Sequence, residues 1–480
     1  MKNRLNFWYG IAAITIAALA VRVTWVFVAR RDFELQGDDF FYHWQGRALA
    51  DGLGFINPFA WRGLDELYPS AAHLPLYSSF LGAVSFVGGT SPLTHRLASC
   101  VLGAGAVLVV GLTARRIAGD RAGLLGAGIA AAYPMLWIND GMLISESMYA
   151  LVIAGILLTA YRLWDEPSWT NTIVFGVALG LGLLTRPEAI LLGPLIGVPF
   201  ILARRPEWRP RLAKIAVAGA IVVAMLAPWL VRNAVKFSEP VYLTSGGGSV
   251  LQVANCDSTY TGQFLGYWDI NCTTADRPPA TEEQEQLLED SEVPGLVYLL
   301  AQDPSDESIP DAEAREQGLD YIRDHLTRAP VVALARVGRV WGFYRPLEGI
   351  DYDVFFERRG RLPSEWGTGM YYVLLALGVY ALVVMRRRKK PISPMIAIAI
   401  MVTFTVATSI GITRYRVSAD VALTVLGGVA LDAIWRWITA RRQTPATPEP
   451  EPEPVAPNRS TSQAGSLATA VGEAAAVAAP

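Results

Sequence analysis

The chain has 480 residues, of which 52% are hydrophobic, and its mean hydropathy is +0.31. A chain this apolar is not an ordinary soluble protein, and its length allows many membrane-spanning helices. The formal net charge of −2 says little by itself, because a membrane protein sorts its charges between the two sides of the bilayer. The composition therefore predicts an all-α polytopic membrane protein.

The first apolar run, "FWYGIAAITIAALAVRVTWVFVA", follows Lys2 and Arg4 and is followed by Arg30 and Arg31. It is longer than the apolar region of a signal peptide, and no small-residue cleavage site follows it. We therefore expect it to be a retained first helix.

Ten apolar runs have a length suitable for crossing a bilayer, which takes about 17 to 25 residues. They lie near residues 8–29, 97–114, 121–138, 143–163, 171–185, 189–203, 212–231, 368–385, 392–412 and 418–438. An eleventh run, 74–89, would move the next basic clusters to the outside if it also crossed the membrane. The positive-inside rule therefore assigns 74–89 to a juxtamembrane or re-entrant helix and predicts about ten spans with both termini in the cytoplasm.

This topology divides the chain into four parts. Residues 1–231 form an N-terminal transmembrane module with a first outer loop at 30–96, and residues 232–367 form a small extracytoplasmic loop domain. Residues 368–442 supply the last transmembrane helices. The segment 443–480 is rich in Pro, Glu, Ala, Ser and Thr, which predicts a disordered cytoplasmic tail.

Three cysteines are too few for a disulfide framework. Cys256 and Cys272 both fall in the predicted outer loop, where an oxidising compartment permits a disulfide, and we expect them to form one. Cys100 lies in an apolar run and is expected to be an inert packing residue.

The stretch "GDDFFYHW" at 37–44 places Asp38 and Asp39 beside aromatic residues at the predicted outer edge of the membrane. One carboxylate could act as a general base toward a hydroxyl acceptor, with the aromatic residues excluding water and raising its pKa. The alternative is an N-terminal helix cap, because Asp in a first helical turn favours the helix dipole. A cap needs only one of the two acids, so both interpretations remain open.

Glu146 is the second acidic candidate, since it lies one turn into an apolar helix, where an ionisable side chain is costly unless it faces protein or water. The alternative is a capping-box glutamate beside Ser145 and Ser147. Asp140 is a weaker candidate and is expected to be a turn residue.

Basic residues at the outer membrane edge indicate an anionic partner such as a lipid-linked phosphate. Five residues share this position: His73, Arg186, Arg345, Arg414 and Arg416. Arg186 could instead form a local ion pair with Glu188, and a phospholipid headgroup could satisfy the arginines of "TRYR" at 413–416.

The sequence contains no Walker loop, HExxH, CxxC or GxSxG motif, and its four histidines are too scattered to suggest a zinc cluster. Chemistry without a cofactor or metal is therefore expected, although an acidic pair can hold a divalent cation.

Six stretches of the chain together resemble the GT-C membrane glycosyltransferases, in the glycosyltransferase family 39-like group of protein O-mannosyltransferases and lipid A aminoarabinose transferases. The resemblance runs from about residue 8 to 438 and implies the GT-C fold. The stretches, in the order of the family, are "GDDFFYHWQGRALADGLGF", "HLPLYSSFLGAV", "LISESMYALVIA", "GLLTRPEAILLGPL", "LDYIRDHLTRAPVVALARVGRVWGFYRP" and "TRYRVSADVAL".

The resemblance implies that Asp38 is the catalytic base and that Asp39 takes the place usually held by glutamate. It also implies that His73 contacts the lipid phosphate. This sequence departs from the family twice, because His73 replaces the more usual Arg or Lys and Leu74 replaces the first proline of a pair.

The expected function is the transfer of a hexose or pentose from a polyprenyl-phosphate donor to an acceptor hydroxyl, by a single inverting displacement on the outer face of the membrane. His73, Arg186, Arg414 and Arg416 would bind the donor phosphate, while Asp38, Asp39 and Glu146 are the catalytic candidates. The acceptor would be a glycan, a glycolipid or a protein, and no nucleic-acid partner is expected. A bacterial plasma membrane is the expected location. The alternatives are a flippase for lipid-linked sugars and a noncatalytic scaffold of envelope assembly.

Overall fold

The computed structural model describes residues 2–203, 207–273, 293 and 305–443. In these residues the chain is helical, and its only β-type pairing is an isolated bridge between Ile56 and Pro69. The all-α class is thereby confirmed for the described part of the chain. The predicted tail lies outside the described residues beyond Gln443, and so does the part of the outer loop between 273 and 305, apart from residue 293.

Nineteen α-helices, numbered here in chain order, make up the described structure. They are α1 Lys2–Trp25, α2 Asp38–Ala50, α3 Pro58–Leu64, α4 Pro75–Phe86, α5 Pro92–Ala118, α6 Asp120–Ala132, α7 Pro134–Trp137, α8 Glu146–Asp165, α9 Trp169–Leu183, α10 Leu192–Leu202, α11 Trp208–Lys236, α12 Gly247–Ala254, α13 Asp257–Tyr260, α14 Ser308–Asp324, α15 Ala329–Val340, α16 Pro346–Phe355, α17 Arg361–Arg387, α18 Ser393–Thr408 and α19 Val417–Gln443. Short turns of other helical types lie at Val26–Arg30, Ile138–Gly141, Pro187–Leu191, Ile270–Thr273 and Thr413–Arg416.

Six helices in the described residues are long and apolar enough to cross a membrane. They are Asn6–Arg30, Pro92–Ala118, Glu146–Asp165, Trp208–Lys236, Arg361–Arg387 and Thr413–Arg441. A bent pair, Asp120–Ala132 and Pro134–Gly141, makes a seventh if it is one span, and its two halves meet at an angle of 61°. Three shorter apolar helices, Trp169–Leu183, Pro187–Leu202 and Ser393–Thr408, coincide with predicted runs.

The helix α4 falls within the ambiguous run 74–89. It has 12 residues, so its length is about 18 Å, whereas the hydrocarbon core of a bilayer is about 30 Å thick. It is therefore too short to cross the membrane alone.

Local sequence signals explain where several helices begin and bend. The Ser91 Oγ accepts a hydrogen bond from Thr94 N at 3.1 Å, and Pro92 follows at the first helical position of α5. Tyr133 is extended because Pro134 follows it, which breaks the path of α6 and produces the bend. The long helices are thus interrupted where capping residues and proline require it.

The first apolar helix is tied to the bent pair by a buried ion pair. Arg22 Nε donates to Asp140 Oδ2 at 2.6 Å, and both side chains are almost completely buried. A Cβ at position 103 would lie 2.0 Å from Asp140 Oδ2, so Gly103 leaves the space that the pair occupies. Asp140 lies in the turn Ile138–Gly141, as the sequence predicted, and its side chain is in addition buried in an ion pair.

Residues Met1–Trp435 form one compact unit, which contains every contact discussed below; the second unit, Arg436–Pro480, is described only as far as Gln443. Within the first unit, Cys256 and Cys272 are joined by a disulfide with a Cα–Cα distance of 6.1 Å. Glu307 connects separate segments, because it accepts hydrogen bonds from the Ser70 and Ser245 hydroxyls and from Ala71 N.

Candidate active site

The start of α2 places Asp38 at the centre of a charged cluster. Gly37 has φ +57°, a conformation that other residues rarely adopt, and this turn makes Asp38 the first residue of the helix. The Asp38 side chain is 31% exposed. Arg414 Nη1 donates to Asp38 Oδ2 at 2.8 Å, and His73 Nε2 lies 3.5 Å from Asp38 Oδ1.

Arg414 is shared among three carboxylates. It lies in the turn Thr413–Arg416, which directs its side chain to Asp38 and also to two further acids. Its Nε is 3.5 Å from Glu146 Oε1, and its Nη1 is 3.4 Å from Glu357 Oε2. Since no single carboxylate holds the whole guanidinium, its partners can be exchanged for another anion.

Glu146 links Arg414 to Arg186. Arg186 Nη2 donates to Glu146 Oε1, while Arg186 Nη1 is 4.0 Å from Glu188 Oε1. Glu146 is 0% exposed, and Ser145 makes no side-chain cap to the helix. Glu146 therefore joins two arginines instead of closing a capping box, and Glu188 is only a secondary partner of Arg186.

We call this set of side chains the Arg414 cluster. Its members are Asp38, His73, Glu146, Arg186, Glu188, Glu357 and Arg414. The Nε atoms of Arg186 and Arg414 are buried and have no hydrogen-bond partner among the described residues. Each arginine thus has one N–H group that can donate a hydrogen bond to an anion entering the cluster.

The electrostatic setting of Asp38 keeps it ionised. Burial acts to raise the pKa of Asp38, but the charge of Arg414 and the hydrogen bond and charge of His73 outweigh it and hold this pKa well below its usual value. The rings of Phe41 and Tyr42 each lie 4.6 Å from the His73 ring and form an aromatic wall behind the pair. A poorly basic carboxylate would become a stronger base if Arg414 moved to another anion.

Asp39 does not join Asp38 in this cluster. Successive helical residues point about 100° apart, and Asp39 Oδ1 instead accepts a hydrogen bond from Gln36 N at 2.8 Å. Asp39 is 8% exposed. Its burial raises its pKa to about 6, against the opposing hydrogen bond from Gln36 and the charges of Arg358 and Arg96. The two neighbouring acids therefore have different roles: Asp38 faces the basic residues and Asp39 fixes the turn.

Arg416 is also separate from the Arg414 cluster, which corrects its prediction as a phosphate-binding residue. Its Nε lies 3.1 Å from Asp420 Oδ1, its Nη1 donates to Val340 O at 2.8 Å, and its guanidinium lies 3.6 Å from the centre of the Tyr371 ring. Tyr133 donates to the same Asp420 oxygen at 2.9 Å. Arg416 is 2% exposed and is a structural residue.

Arg345, the fifth outward basic residue, pairs with Glu348 at 3.1 Å, away from the cluster. Glu357 could not be identified from the sequence, because the stretch "FFERRG" contains no pattern that predicts its contact with Arg414. His43 and His95, which are far apart in the chain, meet with their Nδ1 atoms 3.1 Å apart. Even so, the described residues contain no group of three or more side chains that could hold a metal ion.

The long apolar helices, with a charged cluster in the turns beside them, define a helical membrane protein. The family model described as dolichyl-phosphate-mannose-protein mannosyltransferase matches residues 72–231. That region contains His73, Glu146 and Arg186. The resemblance to family 39-like GT-C glycosyltransferases is confirmed, and the chain is a multi-pass membrane protein.

Solved structures support the same fold. The oligosaccharyltransferase AglB from Archaeoglobus fulgidus, in complex with an inhibitory peptide and a dolichol-phosphate, matches with a TM-score of 0.52 and 12% identity over 93% of this chain. The same archaeal enzyme in complex with Zn and sulfate matches with a TM-score of 0.51 and 12% identity over 90% of this chain. This chain spans only about half of that enzyme, 53% and 50% of its length in the two structures.

ArnT from Cupriavidus metallidurans, bound to undecaprenyl phosphate, matches at 18% identity over 92% of this chain and 80% of its own, with a TM-score of 0.39. A comparison with curated proteins found no match.

Proposed function

We propose that this protein is a membrane glycosyltransferase that moves a sugar from a polyprenyl-phosphate donor to an acceptor hydroxyl. The observation that carries the proposal is the partly exposed Asp38 carboxylate, which shares Arg414 with other acids. This arrangement places a base next to a guanidinium that can bind phosphate, which is the pairing that sugar transfer from a lipid phosphate requires. The match to mannosyltransferases of the dolichyl-phosphate type and the dolichol-phosphate bound to the archaeal oligosaccharyltransferase support this donor class.

The donor phosphate binds between Arg186 and Arg414, with His73 on its third side. Both arginines have a buried N–H group that makes no hydrogen bond among the described residues. Arginine can bind phosphate through two N–H groups at once, so it fixes the orientation of the donor as well as its charge. His73 lies in the position where other members of the family usually have Arg or Lys. It completes the site by donating a hydrogen bond to the phosphate.

The reaction is a single displacement. The acceptor oxygen attacks the anomeric carbon while the bond from that carbon to the phosphate oxygen breaks, and the bonding electrons remain on the phosphate. The acceptor proton passes to Asp38. Arg186 and Arg414 stabilise the second negative charge that develops on the departing lipid phosphate. The products are the glycosylated acceptor, with inverted configuration at the anomeric carbon, and the polyprenyl phosphate.

Donor binding activates the base. Before the donor binds, Arg414 lowers the pKa of Asp38 and makes it a weak base. When the donor phosphate accepts hydrogen bonds from Arg414, the carboxylate loses part of its positive neighbour and its pKa rises. The proton acceptor is therefore strongest when the sugar is in place.

The proposed topology has ten membrane spans. The six long helices, the bent pair and the three short apolar helices each coincide with one predicted run. Both termini are then cytoplasmic, and the first outer loop at 30–96 and the loop domain at 232–367 share the face that carries Asp38. The bacterial plasma membrane remains the proposed location, and 443–480 the proposed disordered tail.

The test is sugar transfer in membranes that contain equal amounts of wild-type protein or Asp38→Asn, with a panel of radiolabelled polyprenyl-phosphate sugars. Loss of a general base lowers rates by about 10²- to 10⁴-fold, so the variant should show almost no transfer. Asp32→Asn is the matched control, because Asp32 is a highly exposed acid in the same loop, and it should transfer normally.

Transfer that survives in Asp38→Asn would exclude Asp38 as the base. Binding of every donor without transfer or hydrolysis would refute the enzyme and favour a flippase. Absence of both donor binding and transfer would favour a scaffold.

A further inference from the structure

We infer that the acceptor is a membrane-anchored glycan, that is, an amphiphile with an uncharged sugar head and an apolar chain, and that it binds at the first turns of α17. This inference rests on the proposed function. Two neighbouring cavities carry it: one lies along a membrane-facing helix and the other lies above it against aromatic rings.

The first cavity, here called the helix cavity, lies along one face of α17. Its volume is about 570 Å³, and it is lined by Glu365, Trp366, Gly369, Met370 and Val373. α17 is one of the six apolar helices, and these residues occupy its beginning, so the cavity faces lipid at one edge of the span. Trp366 is 74% exposed, as expected for an aromatic residue at a membrane interface. An alkyl or prenyl chain fits such a surface.

The second cavity, here called the aromatic cavity, has a volume of about 580 Å³. Its walls include the rings of Phe264, Tyr352, Phe355 and Phe356, together with the polar side chain of Gln263. Both volumes fall within the range of about 300 to 1,000 Å³ that is usual for small-molecule sites. Aromatic rings beside a few polar groups suit a sugar, which has both apolar faces and hydroxyl edges.

A single arginine lies between the two cavities. Arg361 lines the aromatic cavity and donates to Asp351 Oδ1 at 2.6 Å, while its Nη1 lies 3.4 Å from Glu365, which lines the helix cavity. Two carboxylates around one guanidinium leave a net charge of −1 at the junction. This charge disfavours an anionic head such as the phosphate of the donor and accepts an uncharged sugar.

The aromatic cavity leads toward the reacting groups. Phe356 forms part of its wall, and the next residue, Glu357, reaches Arg414 at 3.4 Å. Arg414 in turn donates to Asp38. The wall of the aromatic cavity is therefore joined through consecutive residues to the Arg414 cluster, while the apolar chain of the acceptor lies along α17 in the membrane.

The donor binds on a different side. Arg186 belongs to the segment between α9 and α10, and the donor phosphate sits there in the proposed mechanism. Because α17 is a separate element, the proposed donor and acceptor sites share no residue. This permits both lipids to be bound at once, as a direct displacement demands.

The experiment measures binding and does not depend on catalysis. The full-length protein in phosphatidylcholine nanodiscs is irradiated with dodecyl maltoside that carries a photoreactive diazirine in its alkyl chain, below its micelle concentration. Peptides are then mapped by mass spectrometry. We expect labelling between Trp366 and Val373, with competition by unlabelled dodecyl maltoside and none by polyprenyl phosphate.

Two pairs of variants sharpen the result. Gly369→Leu fills the helix cavity, where an added Cβ has open space, and should lower labelling at least fivefold. Gly219→Leu is the matched control, since Gly219 is exposed on α11 with similar open space, and it should not change the labelling.

Phe355→Ala removes an exposed ring from the aromatic cavity and should lower labelling about threefold. Phe343→Ala removes a similarly exposed ring outside both cavities and should not lower the labelling.

Labelling spread equally over α11 and α17, or unaffected by Gly369→Leu, would overturn the inference and mark α17 as ordinary lipid-facing surface. Competition by polyprenyl phosphate would assign the groove to the donor and also overturn it. Neither result bears on Asp38, because the transfer assay tests the proposed function independently.

Discussion

Arg414 and Arg416 are two residues apart in the same short turn, yet their surroundings are opposite. Arg414 is 19% exposed and is shared by Asp38, Glu146 and Glu357. Arg416 is almost completely buried, and Asp420, a backbone carbonyl and the Tyr371 ring surround it.

The difference separates an exchangeable site from a fixed one. A guanidinium divided among several carboxylates loses little when one of them is replaced by an incoming phosphate. A guanidinium in a closed, buried pair cannot change partners without leaving a charge unpaired, which costs about 3–5 kcal/mol. Burial and number of partners, rather than residue type, therefore identify the arginine that acts on substrate.

Among the substitutions that test this difference between the two arginines, Arg414→Gln has the largest expected effect. Arg414→Gln removes a cation that faces the developing phosphate charge, and the loss of one such donor lowers kcat by about 10²- to 10³-fold. The protein should still fold, because Glu146 keeps Arg186 and Asp38 keeps His73, so that only Glu357 loses its ion pair. Transfer kinetics and the thermal midpoint in detergent check both parts, and a normal rate would remove Arg414 from the site.

Arg416→Gln should have the reverse pattern. Asp420 would be left buried with only the hydrogen bond from Tyr133, and the thermal midpoint should fall by about 5–10 °C. The activity per folded molecule should remain close to normal. A midpoint that does not change, combined with lost transfer, would return Arg416 to the set of phosphate-binding residues.

Glu146→Gln tests the positioning of the two arginines. Glu146 is fully buried and cannot reach an acceptor, so it acts through Arg186 and Arg414 and is not a base. We expect kcat to fall about tenfold, since the arginines lose their common anchor, while the pH dependence of the rate keeps its wild-type form. A changed pH profile together with a loss as large as that of Asp38→Asn would make Glu146 the base.

The apolar helices could be predicted from the sequence because a span is a local property. Each predicted run coincides with a helix or with the bent pair of the structure, and six of the described helices, or seven spans with the bent pair, are long enough to cross a membrane. The bend itself follows from Pro134. The run at 74–89 was assigned by charge parity, and the helix found there, Pro75–Phe86, has only 12 residues.

The site could be predicted only in part, because the contacts between its side chains join segments that are distant in the chain. Asp38, His73, Glu146, Arg186 and Arg414 were identified as candidates, and the structure brings them together. Nothing in "TRYR" distinguishes its two arginines, since the turn geometry sets their directions. Glu357 was missed because its contact with Arg414 joins segments that are distant in the chain.

Asp39 gives the smallest effect and tests the division between the two neighbouring acids. Its pKa of about 6 in the folded protein lies above the value of about 3.9 in an unfolded chain, so the folded state holds the proton more tightly. Stability should therefore fall as the pH rises from about 4 to about 6 and become constant above that. Between pH 5 and pH 7 this amounts to roughly 1 kcal/mol, or a thermal midpoint about 3 °C lower at pH 7.

Asp39→Asn keeps an oxygen that can accept from Gln36 N but cannot ionise, so it should abolish this pH dependence and retain most transfer activity. Asp32→Asn, which changes an exposed acid nearby, should leave the pH dependence intact. If Asp39→Asn instead lost transfer as completely as Asp38→Asn, the two carboxylates would act as one catalytic pair, and the separation between a reacting acid and a structural acid would fail.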